Sequence, residues 1–335
     1  MFSTDSNIRE CINKSVFMVT VFLLATAARG EWLLMIIYLF KEQIIGPSPT
    51  KNSALENRTT EVISESFLER WRLQNLHLML TMSIVVSFIM FWGIGGVFQY
   101  YFYYKRRNQA ADWKCQPDKF LTPENEKHEF LLGSANMLLG ATVSGFIACY
   151  IVNGGYTTLY YNISDRGWLY FLASIPAFYM YIDCLAYYFH RLTHIKWLYI
   201  NIHKVHHRYH QPTAFSTVAM HPAEFLLHQS YLIIVPFYFP IHVAVYIPTI
   251  LYVYYYGMMD HSGINMSALW PWQPPSIFHD NHHKEGTIRY FHVNFGFNSY
   301  LFDWLHDTLR KEDRVYGEDI FGGKGQQLLS TKKSS

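Results

Sequence analysis

The chain has 335 residues, of which half are hydrophobic, 18% aromatic and only 16% charged, against about 25% charged in average soluble chains. Such a composition points away from an ordinary soluble domain and toward an integral membrane protein, with a mean hydropathy near zero because polar segments dilute apolar ones. The formal net charge of +2 gives no electrostatic case for a nucleic-acid partner.

Crossing a bilayer takes about 20 apolar residues. Residues 15–40 are the first such stretch, interrupted by Arg29, Gly30 and Glu31. No small-residue cleavage site marks it as a removable signal peptide. Pro47, Pro49 and their polar neighbours read as a plain loop. Residues 76–104, 130–152 and 168–189 are the next three candidate spans. Residues 225–259 form a fifth apolar stretch, and its Pro236, Pro240 and Pro248 favour a bent hairpin over one straight helix.

Basic residues orient the spans. Lys105, Arg106 and Arg107 follow the second span, so that end is expected in the cytoplasm. Two further crossings return the chain to the same side at His190, and a hairpin keeps everything after it there. Both termini then lie in the cytoplasm and residues 42–75 in the lumen. Sequons at Asn57 and Asn162 fall on the luminal side, while that at Asn265 falls on the cytoplasmic side and should stay unmodified. Lys332 and Lys333, followed by two serines, resemble the dilysine retrieval signal of endoplasmic-reticulum membrane proteins. The expected fold is an all-α integral membrane protein of about four transmembrane helices plus a helical hairpin, with a cytoplasmic histidine-lined metal site. Its regions are an N-terminal membrane part with a luminal loop (1–125), a catalytic domain (126–315) and a cytoplasmic tail (316–335). Cys11, Cys115, Cys149 and Cys184 are scattered and suggest neither a disulfide framework nor a thiolate metal site.

Three histidine clusters carry the chemistry. His190 and His194 end the fourth span, His203, His206 and His207 follow on a surface helix, and His279, His282 and His283 come after the proline-rich 270–275 loop. Two HxxHH matches are present where random placement of the 17 histidines gives about 0.04. Spacings of three and four bring side chains to one helical face, so eight imidazoles can converge. Imidazole suits iron, zinc and copper. Eight donors exceed one tetrahedral zinc and suit two metals with about four histidines each, leaving positions open for oxygen. His261, after the hairpin, is a ninth candidate. His221 is a ligand or a supporting residue, with Glu224 as a possible partner. Asp280 and Glu285 are expected to orient imidazoles. His210 continues the second stripe toward solvent. His292 and His306 are read as interior hydrogen-bonding residues, and His77, His128, His228 and His242 receive no role.

The order HxxxH, HxxHH, HPxE, HSG and HxxHH, over about 170–310, resembles the sterol desaturase and fatty acid hydroxylase superfamily. The stretch from His203 to Phe215 and the sequence Phe-His-Asp-Asn-His-His ending at His283 look closest to its sterol C-5 desaturase branch. The ending from Asn294 to Thr308 is also similar to that superfamily. The resemblance implies two iron ions, O2 and electrons from NAD(P)H through cytochrome b5 and its reductase. It implies a lipid substrate from the bilayer, and His190, His194, His203, His206, His207, His279, His282 and His283 as ligands. His261 carries over less directly, because some relatives place a second histidine one turn earlier, where Gly257 stands here. The expected activity is O2-dependent desaturation or hydroxylation of a lipid, foremost a sterol, in the endoplasmic-reticulum membrane. The alternatives are a fatty-acyl or sphingolipid hydroxylase, a metal transporter, or a silent lipid-binding scaffold. Aromatic runs at 98–104 and 246–256 offer lining for a sterol slot or simple helix packing.

Overall fold

A computed structural model of the chain describes residues 67–268, 270–284 and 292–310. The expected span at 15–40, the sequon at Asn57 and the dilysine tail lie outside these residues. The described part is helical, with two isolated bridge pairs and no strand.

Among the described residues, three helices are long and apolar enough to cross a membrane. We label them α1 (Leu76–Phe98, continued as a π-helix over Gln99–Lys105), α2 (Pro123–Val152) and α3 (Trp168–Thr193). Helix α2 begins seven residues before the apolar run at 130. Thr122 accepts from the Asn125 N–H, Pro123 takes the first turn, and Glu124 and Glu126 favour the positive end of the helix dipole. A charged first turn is invisible to a search for apolar length. The outer face of α3 is bare, with Leu169, Leu172 and Ile175 exposed. An unpartnered apolar face of that length is what a lipid environment covers.

Helices α1 and α2 form a close antiparallel pair. Small residues permit the approach: a Cβ on Gly145 would come 3.0 Å from Leu80, and Ser83 Oγ donates to the Ala141 carbonyl at 2.8 Å. The expected hairpin is two helices, α5 (Pro222–Ile233) and α6 (Val243–His261), joined by a short helical turn at Val235–Tyr238 that contains Pro236. Short α4 (Lys196–Asn201) precedes α5, α7 (Ser276–His283) and α8 (Leu301–Leu305) follow α6, and four-residue helices lie at Phe67–Arg70 and Ala110–Trp113.

Buried polar contacts tie the loops to one end of the bundle. Tyr103 at the end of α1 donates to the Ser262 and Pro212 carbonyls at 2.7 and 3.1 Å. Glu129 accepts from Thr213 Oγ1 at 2.8 Å and from Ser216 Oγ, and Asn136 Nδ2 donates to the Val218 and Met220 carbonyls. This end carries Lys105, Arg106 and Arg107, and α3 also finishes here. Asn162 stands exposed in the loop at the opposite end, and exposed Asn265 follows α6 at the near end.

Gly263 is held at φ +65°, and a Cβ there would lie 2.3 Å from Tyr103 Oη and 2.6 Å from the Pro212 carbonyl. Gly263→Ala therefore combines a disfavoured backbone with overpacking. It should cost about 2–4 kcal/mol, read as a lowered unfolding temperature of the purified chain.

Candidate metal centre

Four separate segments deliver nine histidines to the near end. His190 lies in the last turn of α3 and His194 follows it. His203, His206 and His207 lie on a 3-10 turn (His203–Arg208) after α4. His261 ends α6, and α7 supplies His279, His282 and His283. All nine are buried. Their nitrogens form two groups, His190 with His194, His203, His207 and His282, and His206 with His261, His279 and His283. Within each group the atoms lie within 4.8 Å of one another.

The two HxxHH clusters do not each serve one group. Each splits, the i and i+4 residues going to one group and the i+3 residue to the other. On helix α7, adjacent residues are rotated by about 100°, so His282 and His283 point to either side of His279. One short helix thereby feeds two sites. The groups touch: the His207 and His283 rings stack with centroids 4.7 Å apart, and those of His279 and His282 are 5.4 Å apart.

Oxygen atoms hold five of these rings by Nδ1. His190 meets the Phe295 carbonyl at 2.9 Å, His282 that of Val293 at 2.8 Å, His261 that of Gly257 at 2.8 Å and His206 that of Ala219 at 3.4 Å. His203 donates to Glu224 Oε1 at 2.5 Å. A carbonyl can only accept, so the proton sits on Nδ1 and Nε2 presents a bare lone pair. The loop supplying two of these carbonyls is itself fixed by Asp303, which accepts from the Phe295 and Gly296 N–H groups and from Thr308 Oγ1. Burial first, and the neighbouring imidazoles after it, hold His203, His206, His207, His279 and His283 well below the usual histidine value. Burial likewise lowers His282 to about 4. The rings are therefore neutral donors at neutral pH.

This arrangement fits metal ions. His206 and His261 Nε2 face each other at 3.1 Å, and both are unprotonated. Two lone pairs so placed repel unless a cation lies between them. His203 and His194 Nε2 are 3.0 Å apart, and His279 Nε2 is 3.0 Å from that of His261 and 3.2 Å from that of His283. Two nitrogens about 2.1 Å from one ion at about 90° are about 3.0 Å apart. The Nε2 atoms of His190, His207 and His282 are buried with no hydrogen-bond partner, a costly state for any group other than a ligand awaiting its ion. The set of five exceeds the four ligands that a closed tetrahedral zinc site uses.

The supporting residues differ from expectation. Glu224 serves His203, not His221, which caps α5 by accepting the Ala223 N–H at 3.2 Å. Asp280 orients no imidazole: it accepts from Gln116 Nε2 at 2.9 Å, and burial, offset in part by Lys114, raises it to about 6. A position next to His279 is turned by about 100° and faces the other way. Glu285 lies outside the described residues. His210 is half-buried and meets the His283 carbonyl at 3.3 Å, outside both groups. His210→Ala should keep turnover within about threefold of the parent, measured on chain with matched metal content. His292 is exposed, and so is His306, which pairs with Tyr188 Oη at 2.7 Å. The aromatic run at 98–104 buries Phe98 and Tyr103 in the core.

A cavity of about 110 Å3 reaches both groups, touching His190, His203, His206 and His261. Its remaining wall comes from α3, α5, α6, the segment of Thr217, Val218 and Met220, and residues 297–298, and is chiefly apolar. Phe297 lies over the centre, 5.0 Å from the His190 ring and 4.9 Å from that of His279. Of the run at 246–256, Val253 and Tyr254 line this cavity.

Residues 175–308 match the fatty acid hydroxylase family. A Delta(7)-sterol 5(6)-desaturase of Schizosaccharomyces pombe is 35% identical over 162 residues, 48% of this chain and 52% of that protein. The lathosterol oxidase of Mus musculus is 33% identical over 168 residues, 49% of this chain and 54% of that protein. The chain thus matches about half the length of these two relatives. A second Delta(7)-sterol 5(6)-desaturase of the same yeast is 26% identical over 266 residues, 78% of this chain and 75% of that protein. No solved structure matches. The matched segment holds all nine buried histidines and the Asp303-anchored loop beside them, so the similarity to the fatty acid hydroxylase family and to these sterol desaturases falls on the candidate metal centre itself.

Proposed function

We propose that this chain is a membrane-bound oxidoreductase that uses two irons and O2 to desaturate a lipid, with a Delta(7)-sterol as substrate and the bond between C5 and C6 as the product double bond. One observation carries the reading. Two contiguous groups of neutral, preoriented imidazoles face an apolar cavity between helices that a bilayer would surround. The relatives' names supply the choice of sterol. The reaction balances as sterol, O2, two electrons and two protons giving the dehydrosterol and two waters. Iron, when bound, supplies the oxygen activation needed to break unactivated C–H bonds.

The chain's own residues do the rest. His190, His194, His203, His207 and His282 would hold one iron, and His206, His261, His279 and His283 the other. Backbone carbonyls and Glu224 fix the ring orientations before any metal arrives, which lowers the ordering cost of assembly. The apolar wall excludes water from the cavity. A metal transporter would place ligands in mid-span. Here His190 sits in the last turn of α3, and none of the nine lies at the centre of a candidate span.

The electrons are assigned to NAD(P)H through cytochrome b5 and its reductase, and the chain to the endoplasmic-reticulum membrane with both termini in the cytoplasm. The shared end of Lys105, Arg106, Arg107 and the histidines favours that side. The domain boundaries at 125 and 315 remain part of this proposal. Expression in cells lacking their own Delta(7)-sterol desaturase tests the reading. The sterol profile should shift to the 5,7-diene, with O2 uptake by membranes matching product. An unchanged sterol profile alongside new hydroxylated acyl chains would overturn it in favour of the acyl hydroxylases.

A further inference from the structure

Away from the nine histidines the cavity is lined chiefly by apolar side chains, with Thr217, Glu224, His228 and the half-buried Gln229 among them, and one fully buried amide lines it. Asn298 is 2% exposed, and its side-chain oxygen is buried with no hydrogen-bond partner. A buried acceptor left unmade is costly, so a native structure keeps one where something binds. The backbone around it is fixed. Tyr179 Oη donates to the Asn298 carbonyl at 2.6 Å, Ser299 Oγ donates to Asp183, and the preceding Phe297 lies against the His190 and His279 rings. Asn298 therefore stands a single residue from an aromatic ring that contacts both histidine groups.

The same cavity restricts the group that can sit there. No lysine or arginine lines it, and the Oε2 of buried Glu224 also lacks a partner. An anionic headgroup, carboxylate or phosphate, would be buried without a counter-ion. An ester-linked acyl chain would offer no donor. A neutral hydroxyl can donate to the amide oxygen without any charge being buried.

We propose that Asn298 is a substrate-binding residue that accepts a hydrogen bond from the hydroxyl of a lipid alcohol and so sets which carbons face the histidines. The inference rests on the sterol reading above and deepens it. In a sterol the hydroxyl is on C3, separated from C5 by a single ring carbon. A hydroxyl held at Asn298 thus leaves the carbons of the rigid ring beside it close to the cavity's histidine wall. A flexible acyl chain has no such fixed relation between a polar anchor and the carbon to be oxidised.

The test uses the full-length, iron-loaded chain with lathosterol and its 3-deoxy analogue, comparing the parent, Asn298→Leu and Asn298→Ser. Turnover gives KM and kcat separately, and binding of radiolabelled lathosterol to the metal-free chain gives a second readout. The parent should prefer lathosterol over the 3-deoxy analogue by about tenfold or more, chiefly in KM and in binding. Asn298→Leu should lose that preference, its KM for lathosterol rising to that for the 3-deoxy analogue, while keeping the parent's iron content. If the leucine variant loses its iron, the serine variant, whose hydroxyl is one bond too short to reach the same group, should lose the preference in its place. A parent indifferent to removal of the hydroxyl, or a leucine variant with an intact preference, overturns the role of Asn298 while the sterol reading stands. A parent that turns over neither sterol but oxidises acyl lipids removes the sterol reading and this inference with it.

Discussion

His207→Ala should take iron from about two to about one per chain and bring turnover below detection. His207 belongs to the group that also holds His190, His194, His203 and His282, and its buried Nε2 has no other partner. Alanine removes a donor from a site the remaining rings cannot close around, because backbone carbonyls and Glu224 fix several of them. His283→Ala should produce the same numerical loss from the other group, where His283 Nε2 lies 3.2 Å from that of His279. The two single variants should each retain about one iron, and the double variant about none. Elemental analysis on protein of matched purity checks this. Both irons retained in each variant would mean that the groups are not two sites.

Glu224→Ala should weaken iron retention and activity by about 10- to 100-fold, with Glu224→Gln milder. The carboxylate takes the His203 Nδ1–H at 2.5 Å, which fixes the tautomer that exposes Nε2 and strengthens it as a donor. Alanine leaves that ring free to rotate and its N–H buried without an acceptor. Glutamine keeps an acceptor oxygen but no charge. Competition against a graded iron chelator separates this role from simple destabilisation: the unfolding temperature of metal-free chain should move far less than the chelator midpoint. Equal chelator midpoints in parent and Glu224→Ala would remove Glu224 from the account.

The convergence of the histidines is legible because a polar ring repeated at three- and four-residue spacing in an apolar chain has few other uses. The division of the nine into five and four is not legible. It depends on α7 lying against α6, so that His282 and His283 address different neighbours. His221 was open to a better reading: the Pro222 that follows it marks a helix start, and a side chain just before such a proline is placed to cap. Glu224, one turn on, then points inward toward His203. Asp280 misleads for the opposite reason, since adjacency in sequence on a helix means divergence in space. Glu129, Asn136 and Asn298 carry no local pattern at all. Their partners lie 82 or more residues away for Glu129 and Asn136, at Thr213, Ser216 and Val218. The only sequence signal among these is Glu129 at the mouth of an apolar run, where an ionisable residue must be paired or functional. The helices show the same split. The apolar lengths of α1 and α3 follow from hydropathy, whereas the early start of α2 and the break between α5 and α6 follow from capping and proline geometry.

The central claim is that these nine histidines hold two irons in distinct nitrogen environments. The most direct measurement is Mössbauer spectroscopy of the full chain reconstituted with iron-57, alongside iron quantification. About two irons per chain are expected, in two signals of equal area, with His207→Ala removing one signal and His283→Ala the other. A single iron per chain with one signal, or full sterol turnover by chain shown to be free of metal, would contradict the account.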